Sequence, residues 1–171
     1  MKYIYFIRHG LSELNVAGLV AGHTDTPLVD EGREQAKNAG KQAKKLGIDH
    51  IISSPLARTI ETAKIIAKEI NYSEDKIEIN PLFVERHFGD MEAQKYKPGT
   101  NYDVINNAEK TEDIIERADR AINYLRSLPY KKIMVVSHGS MGRAMRHHLV
   151  ADEPFHHPVH FVNAEIIQWS L

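Results

Sequence analysis

Apolar and polar positions follow one another along the chain in blocks that predict strands and helices in turn. Short apolar runs rich in β-branched and aromatic residues are typical of buried strands, whereas longer runs with apolar positions every three or four residues are typical of helices. The predicted strands are Tyr3–Ile7, His50–Ser53, Lys76–Ile79, Lys132–Ser137 and, as a strand or hairpin, Val159–Trp169. The predicted helices are Asp30–Leu46, a helix after Ser54 and Pro55, Thr111 to about Leu128, and Ser140–Val150.

Local signals support the two helices in the first half of the chain. Acidic residues open the segment Asp30–Leu46 and lysines close it, as the helix macrodipole favours, and Gly47 suits its end. Ser54 is the predicted N-cap of the next helix and Pro55 its first-turn residue. That helix is expected to bury five apolar side chains, namely Ile60, Ala63, Ile66, Ala67 and Ile70. Residues 80–110 are predicted to be mostly loop.

The alternation of strands and helices predicts an α/β fold with a mostly parallel sheet. A length of 171 residues, with no recognisable linker or repeat, favours one domain over residues 1–171. Apolar residues make up 42% of the chain and charged residues 26%, which is ordinary for a globular protein.

Composition excludes several kinds of function. The chain has no cysteine, so disulfides, thiolate catalysis and cysteine-ligated metals are excluded. A formal charge of −1 gives no reason to expect nucleic acid or an anionic membrane as a partner. The apolar run Tyr3–Ile7 is too short for a signal peptide or a membrane span, so a cytoplasmic protein is expected.

Three predicted strand ends carry polar side chains that could share one site. They are Arg8-His9-Gly10, the segment from Ser53 to Arg58, and Ser137-His138-Gly139. Ligands of open α/β sheets bind at the carboxyl ends of the strands, so parallel strands would bring these segments together. A glycine after each histidine allows a sharp turn and a close approach to a ligand.

Two arginines and two histidines around one cavity predict a receptor for a phosphate dianion. The planar arginine fork matches phosphate oxygens. A metal is the rival ligand for two histidines, but neighbouring arginines would repel a cation and these strand ends supply no carboxylate. We therefore expect no metal.

His9 is the predicted nucleophile. A histidine attacks phosphorus only when it is neutral, and neighbouring arginines disfavour the imidazolium form. The leaving oxygen then needs a proton donor, for which Glu85 is the candidate; Asp90 and Glu92 lie close by in sequence and remain alternatives.

Five segments, in order, resemble the histidine phosphatase superfamily, in its phosphoglycerate-mutase-like branch. They are RHGLSELN, GHTDTPLVDEGREQA, ISSPLARTIETA, ERHFGDMEA and VVSHGSM. The resemblance implies a three-layer α/β/α sandwich with a small or absent cap insertion, and no cofactor. It also implies that His9 takes the phosphoryl group, that Arg8, Arg58, His138 and Asn15 hold its oxygens, and that Glu85 is the general acid and base.

Some positions depart from the family pattern. Leu11 follows RHG where Glu or Gln is usual, Val29 stands where a capping Thr or Ser is typical, and Ala93 replaces a glycine. The interval between Glu85 and His138 is short, whereas family mutases carry a longer insertion there that closes over the substrate. Hydrolysis of a phosphomonoester is therefore favoured over the mutase reaction, and a non-catalytic phosphate-binding protein is the third reading.

The substrate is expected to be a phosphorylated small molecule, although an open mouth would also admit phosphorylated protein side chains. Segment 86–110 is expected to face it, and further candidates for the substrate rim are Ser12, Gly22, His23, Arg86 and Gly139. The additional histidines His147, His148, His156, His157 and His160 favour a solvated role over a metal site. No pattern indicates an oligomeric state.

Overall fold

The computed structural model of the chain describes residues 1–156 and 160–171. Its centre is a five-stranded sheet with the order β3-β2-β4-β1-β5. The strands are β1 Tyr3–Arg8, β2 His50–Ser53, β3 Glu78–Ile79, β4 Lys132–Ser137 and β5 Ile166–Ser170. The first four are parallel to their neighbours, and β5 runs antiparallel to β1 at the edge. The predicted mostly parallel sheet is confirmed.

Helices cover both faces of this sheet. They are α1 Glu13–Val16, α2 Asp30–Ala43, α3 Ala57–Glu69, α4 Thr111–Ser127 and α5 Gly139–Leu149. Side chains alternate across β1, so Ile4 and Phe6 pack against α4 and α5 while Tyr5 and Ile7 pack against α2 and α3. Two cores therefore lie on opposite faces of one sheet, which confirms the three-layer α/β/α architecture.

The register of β1 and β4 places the two histidine-bearing strand ends side by side. Arg8 is paired with Ser137, and the backbone N–H of His9 donates to the carbonyl of Ser137 at 3.0 Å. On the other side of β4, Ser53 of β2 is paired with Val136. Because these strands are parallel, the three predicted segments leave the sheet at the same edge.

Helix boundaries differ from the sequence prediction where side chains have other partners. Helix α2 ends at Ala43 and is followed by a turn, rather than continuing to Leu46. Helix α3 begins at Ala57 with Leu56 as its N-cap, two residues later than the predicted N-cap Ser54, and the Ser54 hydroxyl contacts His138. Three of the predicted core residues of α3 are buried, namely Ala63, Ile66 and Ala67, while Ile60 and Ile70 are only half-buried. The buried face also includes three polar residues, Arg58, Thr59 and Thr62.

Segment 80–110 is largely irregular, as predicted, with short 3₁₀ turns at Pro81–Phe83, Gly89–Met91 and Tyr102–Val104. The predicted strand Lys76–Ile79 is shortened to β3 because the 3₁₀ turn Glu74–Lys76 precedes it. The predicted C-terminal strand or hairpin is the single strand β5 in the described residues, and Val159 lies outside them. No helix in the described part of the chain is long and apolar enough to cross a membrane.

Candidate active site

A cavity of about 820 Å³ lies where β1 and β4 end, and most of the residues predicted for the site line it. Its wall includes Arg8, His9, Asn15, Arg58 and Glu85. They come from segments far apart in sequence, which the parallel sheet brings together. His138 lies directly beside His9 but beneath the cavity surface, and it is fully buried.

The ring of His9 is held in one orientation. Its Nδ1 lies 2.7 Å from the carbonyl oxygen of Gly10, an acceptor only, so Nδ1 carries the proton and Nε2 carries the lone pair. Arg58 Nε donates to that Nε2 at 3.2 Å. Burial, followed by the charges of Arg58 and Arg8, holds the pKa of His9 well below its usual value. The imidazole is therefore neutral at pH 7, with its free nitrogen next to an arginine.

Arg58 is the largest fully buried side chain among residues 1–156 and 160–171 and is fixed by backbone carbonyls. Its Nη2 donates to the carbonyl of Gly22 at 2.6 Å and its Nη1 donates to that of Thr24 at 3.1 Å. Burial lowers the pKa of Arg58, and the carboxylates of Glu85 and Asp25 oppose that shift. A guanidinium held by neutral carbonyls keeps its positive charge directed at the cavity.

Arg8 is the second arginine of the wall. Its Nη1 donates to the carbonyl of Phe161 at 2.8 Å, whereas its Nε is buried and has no hydrogen-bond partner in the described part of the chain. Burial lowers the pKa of Arg8, with Glu85 opposing and Arg143 adding to the shift. An unpaired buried donor is costly to leave unsatisfied, so Arg8 Nε favours an anionic ligand.

His138 is positioned by Ser54. The two rings of His9 and His138 have their centroids 5.3 Å apart, and His138 Nε2 lies 2.7 Å from Ser54 Oγ. Ser54 Oγ also accepts the backbone N–H of Leu56 at 3.5 Å. The other ring nitrogen of His138, Nδ1, is buried without a hydrogen-bond partner among the described residues. Burial and the charge of Arg58 lower the pKa of His138 well below its usual value.

Glu85 is the one acidic residue among the described residues that line the cavity. Its carboxylate accepts the backbone N–H groups of Arg86 at 2.8 Å, Met141 at 3.2 Å and Ser140 at 3.3 Å, the last two at the start of α5. The alternatives point elsewhere: Asp90 accepts from Asn107, and Glu92 accepts from the backbone of His23 and Thr24. Of the three candidates for the proton donor, Glu85 is therefore the one that lines the cavity.

The candidate rim residues divide into two groups. Gly22, Arg86 and Gly139 line the cavity, whereas Ser12 and His23 do not. Ser12 is fully buried and forms a capping box with Asn15, which orients the Asn15 side chain. The ring of His23 contacts the carbonyl of Glu85 at 2.7 Å.

Arg86 is buried, and its guanidinium is used within the protein. It donates to the carboxylate of Asp103 and to the carbonyl of Glu109, both at 2.8 Å, so it holds segment 86–110 beside the cavity.

Gly10 does not line the cavity. A Cβ at this position would lie 2.3 Å from the carbonyl oxygen of Gly32, so the glycine permits close packing of the residues after β1 against α2. The expectation that this glycine approaches a ligand is therefore replaced by a packing role.

The positions that depart from the family pattern have separate consequences. Leu11 lines the cavity and gives its rim an apolar contact. Val29 is the N-cap of α2 and supplies no side-chain hydrogen bond. Ala93 has a φ of 59°, in the left-handed region that favours glycine.

Sequence reasoning missed several residues of the outer cavity. They are Arg143, Phe155 and Phe161, whereas Tyr96, Lys97 and Tyr102 of the lining belong to segment 86–110, which was expected to face the substrate. Arg143 could have been predicted from the sequence, because it follows Gly139 by four residues and so lies one helical turn along the same face of α5. The others come from loops, for which no periodic signal exists.

Two of the additional histidines, His156 and His160, line the outer cavity and are exposed, in agreement with the expected solvated role. His147 and His148 are exposed and contact backbone carbonyls, and His157 lies outside the described residues. Within residues 1–156 and 160–171, no group of three or more histidine or acidic side chains could hold a metal ion.

Comparison with known proteins identifies the family. The profile described as "Histidine phosphatase superfamily (branch 1)" matches residues 4–169, so the chain belongs to this superfamily. It is 34% identical over 151 residues to a probable phosphoglycerate mutase GpmB of Escherichia coli, covering 81% of this chain and 70% of that protein.

Solved structures agree with this assignment. A putative α-ribazole-5'-P phosphatase from Escherichia coli K-12 is 25% identical with a TM-score of 0.84, covering 98% of this chain and 89% of the other. The α-ribazole phosphatase from Shigella flexneri is 26% identical with a TM-score of 0.84, covering 97% and 89%. The mycobacterial glucosyl-3-phosphoglycerate phosphatase Rv2419c shares the fold, with a TM-score of 0.85 at 22% identity. This match covers 98% of this chain and 92% of the other.

Proposed function

We propose that the protein hydrolyses phosphomonoesters through a phosphohistidine formed on His9. The observation that carries this proposal is the state of the His9 ring, whose Nδ1 is tied to the carbonyl of Gly10 and whose Nε2 lone pair is available in the cavity beside Arg58. A neutral, oriented imidazole surrounded by cationic donors is suited to attack phosphorus. Phosphatases among the structural neighbours, at 25% and 26% identity, support this activity.

In the first step, His9 Nε2 forms a bond to phosphorus and the bond to the leaving oxygen breaks. Arg58 Nε must release Nε2 and donate to a phosphoryl oxygen instead, while Arg8 Nε supplies a second donor. Glu85, in its protonated form, gives its proton to the leaving oxygen. The wall thus neutralises the phosphoryl charge while the acid prevents an alkoxide from leaving.

In the second step, a water molecule attacks the phosphohistidine. Glu85, now a carboxylate, takes a proton from that water, and the bond between phosphorus and Nε2 breaks to release inorganic phosphate and restore neutral His9. The backbone N–H groups that hold Glu85 keep its oxygens in one place for both steps. No metal takes part in either step of this proposal.

Hydrolysis of p-nitrophenyl phosphate tests the proposal. We expect activity that persists in excess chelator and is lost in His9→Ala, with the phosphoryl group trapped on the wild-type enzyme after rapid acid-free denaturation. His147→Ala, which removes an exposed histidine outside the cavity, is the matched control and should keep wild-type activity. Activity that chelator abolishes, or that His9→Ala retains, would contradict the proposal.

Phosphoglycerate mutase activity is the second candidate, because the GpmB relatives carry that name. A mutase must keep its phosphohistidine from water until the phosphoryl group is returned to substrate. Incubation with 3-phosphoglycerate and a catalytic amount of the bisphosphate separates the two reactions. Our proposal predicts that no 2-phosphoglycerate is formed, whether or not inorganic phosphate is released from 3-phosphoglycerate, and formation of 2-phosphoglycerate would favour the mutase.

We also propose that the substrate is a phosphorylated small molecule and that the reaction takes place in the cytoplasm. The first part is supported by the α-ribazole-5'-P named for a structural neighbour, which is a small phosphorylated compound. A cavity of about 820 Å³ falls in the range usual for small-molecule sites. A phosphopeptide hydrolysed faster than every small phosphomonoester in a panel would contradict this part of the proposal.

A further inference from the structure

We propose that Arg117 is a positioning residue for the proton donor, because it holds the main chain on both sides of Glu85. The inference deepens the proposed phosphatase function and rests on it, since it concerns the residue that protonates the leaving oxygen. Arg117 lies on α4 and does not line the cavity, so it acts on the reaction only through the chain that carries Glu85. The observations that support the proposal are the hydrogen bonds of Arg117 and those of its ion-pair partner Glu109.

Glu85 lies in a stretch of chain without regular secondary structure. The 3₁₀ turn Pro81–Phe83 precedes it, and residues 84–87 are neither helix nor strand. A catalytic acid must nevertheless stay within hydrogen-bond reach of the oxygen that it protonates. Because an irregular stretch does not pair its own backbone groups as a helix or a strand does, side chains from other elements have to fix its path.

Arg117 donates to three carbonyls of this stretch. Its Nη1 donates to the carbonyl of Val84 at 2.7 Å and to that of Leu82 at 3.0 Å. Its Nη2 donates to the carbonyl of Glu85 itself at 3.4 Å. Only 11% of the Arg117 side chain is exposed, so these bonds are largely shielded from water and a carbonyl that loses its donor is costly to leave unsatisfied. Arg117 therefore fixes the main chain that leads into the acid.

Two other side chains hold the same stretch. The hydroxyl of Ser137 donates to the carbonyl of Phe83 at 2.7 Å, and His23 Nε2 lies 2.7 Å from the carbonyl oxygen of Glu85. Both contacts remain when Arg117 is replaced. Loss of the guanidinium is therefore expected to displace Glu85 rather than to release the whole stretch, which limits the size of the effect.

Glu109 extends the support to the residues after Glu85. Its carboxylate accepts from Arg117 at both oxygens, from Nε at 2.9 Å and from Nη2 at 2.8 Å, which is the two-pronged geometry that fixes a guanidinium. One of these oxygens also accepts the backbone N–H of His87 at 3.3 Å, and the backbone N–H of Glu109 donates to the carbonyl of His87 at 2.8 Å. The carbonyl of Glu109 accepts from Arg86 Nε at 2.8 Å. Arg117 therefore reaches the chain after the acid through Glu109.

Arg117 also contacts the element that holds the carboxylate of Glu85. The backbone N–H groups of Met141 and Ser140, at the start of α5, donate to that carboxylate at 3.2 Å and 3.3 Å. Arg117 Nη1 lies 3.6 Å from Met141 Sδ. The main chain of Glu85 and the residues that bind its carboxylate are thus held by one guanidinium. A shift of the chain at Val84 would draw the carboxylate away from the two N–H groups.

Two substrates whose leaving groups differ in their need for a proton provide the kinetic test. Propyl phosphate needs the acid, whereas p-nitrophenyl phosphate does not. We expect Arg117→Met to lower kcat for propyl phosphate by about 10- to 100-fold, because a reacting group displaced by about 1 Å loses activity on that scale, and to lower kcat for p-nitrophenyl phosphate by less than about threefold. Inhibition by inorganic phosphate should stay within about threefold of the wild type, since the inner arginines are untouched. Arg117→Lys keeps the charge without the planar fork, so it should show the same selectivity with a smaller loss, and it provides the test if Arg117→Met does not fold.

The control variant is Arg33→Met, which breaks the ion pair of Arg33 with Glu61 between α2 and α3, away from the cavity lining. It makes the same change in side chain and net charge and should leave kcat for both substrates unchanged. Equal losses of kcat for the two substrates in Arg117→Met would show a general structural role and overturn the inference. Wild-type kcat for propyl phosphate in Arg117→Met would overturn it as well.

Amide hydrogen exchange, followed by NMR, separates failure of this inference from failure of the proposed function, because it needs no turnover. The amides of Ser140 and Met141 donate to the Glu85 carboxylate. In Arg117→Met they should exchange about tenfold faster or more, relative to the amides of β4, which report global stability. Arg33→Met should leave this ratio unchanged. Selective loss of protection would support the inference even if no phosphomonoester were hydrolysed. Exchange of both amides in step with β4 would overturn it even if propyl phosphate were a good substrate.

Discussion

The dependence of stability on pH tests whether the two buried imidazoles are neutral. Burial, Arg58 and Arg8 lower the pKa of His9, and burial and Arg58 lower that of His138. In the unfolded chain both groups return to about 6.5. Below that value the unfolded chain binds protons that the folded chain does not, so the free energy of unfolding must fall as the pH falls.

The size of this effect follows from the number of groups. Each imidazole contributes at most about 1.36 kcal/mol per pH unit below its unfolded pKa, so the pair contributes up to about 2.7 kcal/mol per unit. This contribution is fully present above about pH 6.5 and is lost progressively below it, until the lowered folded pKa values are reached. Against a total stability of about 5–15 kcal/mol, such a slope is easily measured.

Urea unfolding followed by circular dichroism between about pH 5 and pH 8 provides the assay. His9→Ala and His138→Ala will both change the absolute stability, but each should also remove up to about half of the slope assigned to the pair. His147→Ala, which removes an exposed imidazole outside the cavity, is the control for the loss of a histidine as such. Slopes in the His9 and His138 variants equal to that of the wild type would refute the reasoning that these groups are held neutral.

Three further predictions concern single side chains. Ser54→Ala removes the hydroxyl that orients His138, so kcat/KM should fall by roughly 3- to 10-fold, whereas Ser54→Thr keeps a hydroxyl and should keep most of the activity. Equal kinetics in the two variants would contradict this role of Ser54. Glu85→Gln should lower kcat for alkyl phosphates by about 10²- to 10⁴-fold. It should lower kcat for p-nitrophenyl phosphate far less, since nitrophenolate leaves without a proton. Equal losses of kcat for the two kinds of substrate would mean that Glu85 is not the acid. Ala93→Gly should raise the free energy of unfolding by about 0.5–1 kcal/mol, because Ala93 is exposed and has a φ of 59°. A thermal melt should show this as a rise in Tm of about 1–3 °C. An unchanged or lower Tm would show that the left-handed backbone at Ala93 carries no cost.

The sheet and its site-bearing edge could be predicted from the sequence because both depend on local patterns and one general rule. The strand Lys132–Ser137 has the predicted bounds, and β1 extends the predicted strand by one residue, to Arg8. Since parallel strands share a carboxyl edge, the segments after them had to meet. The resemblance to the family added the pairing of particular residues with particular roles, which spacing alone does not supply.

Other features depend on tertiary contacts that no local pattern reveals. Ser54 has the sequence context of an N-cap, but His138, which is 84 positions away, takes its hydroxyl. The four-residue helix α1 is too short to show periodicity. The contact between Arg143 and His160 joins a helix to a C-terminal segment, so neither residue is marked as half of a pair until the chain is folded.

The location of the trapped phosphoryl group tests the central claim most directly. Phosphorus NMR and fragmentation mass spectrometry of the wild-type enzyme, denatured in base during turnover, distinguish the two ring nitrogens of each histidine. Because Nδ1 of His9 is tied to the carbonyl of Gly10, the account predicts a phosphoramidate on His9 Nε2 that is absent in His9→Ala. A phosphoryl group on Nδ1, on His138 or on any other residue would contradict it, as would steady hydrolysis by His9→Ala.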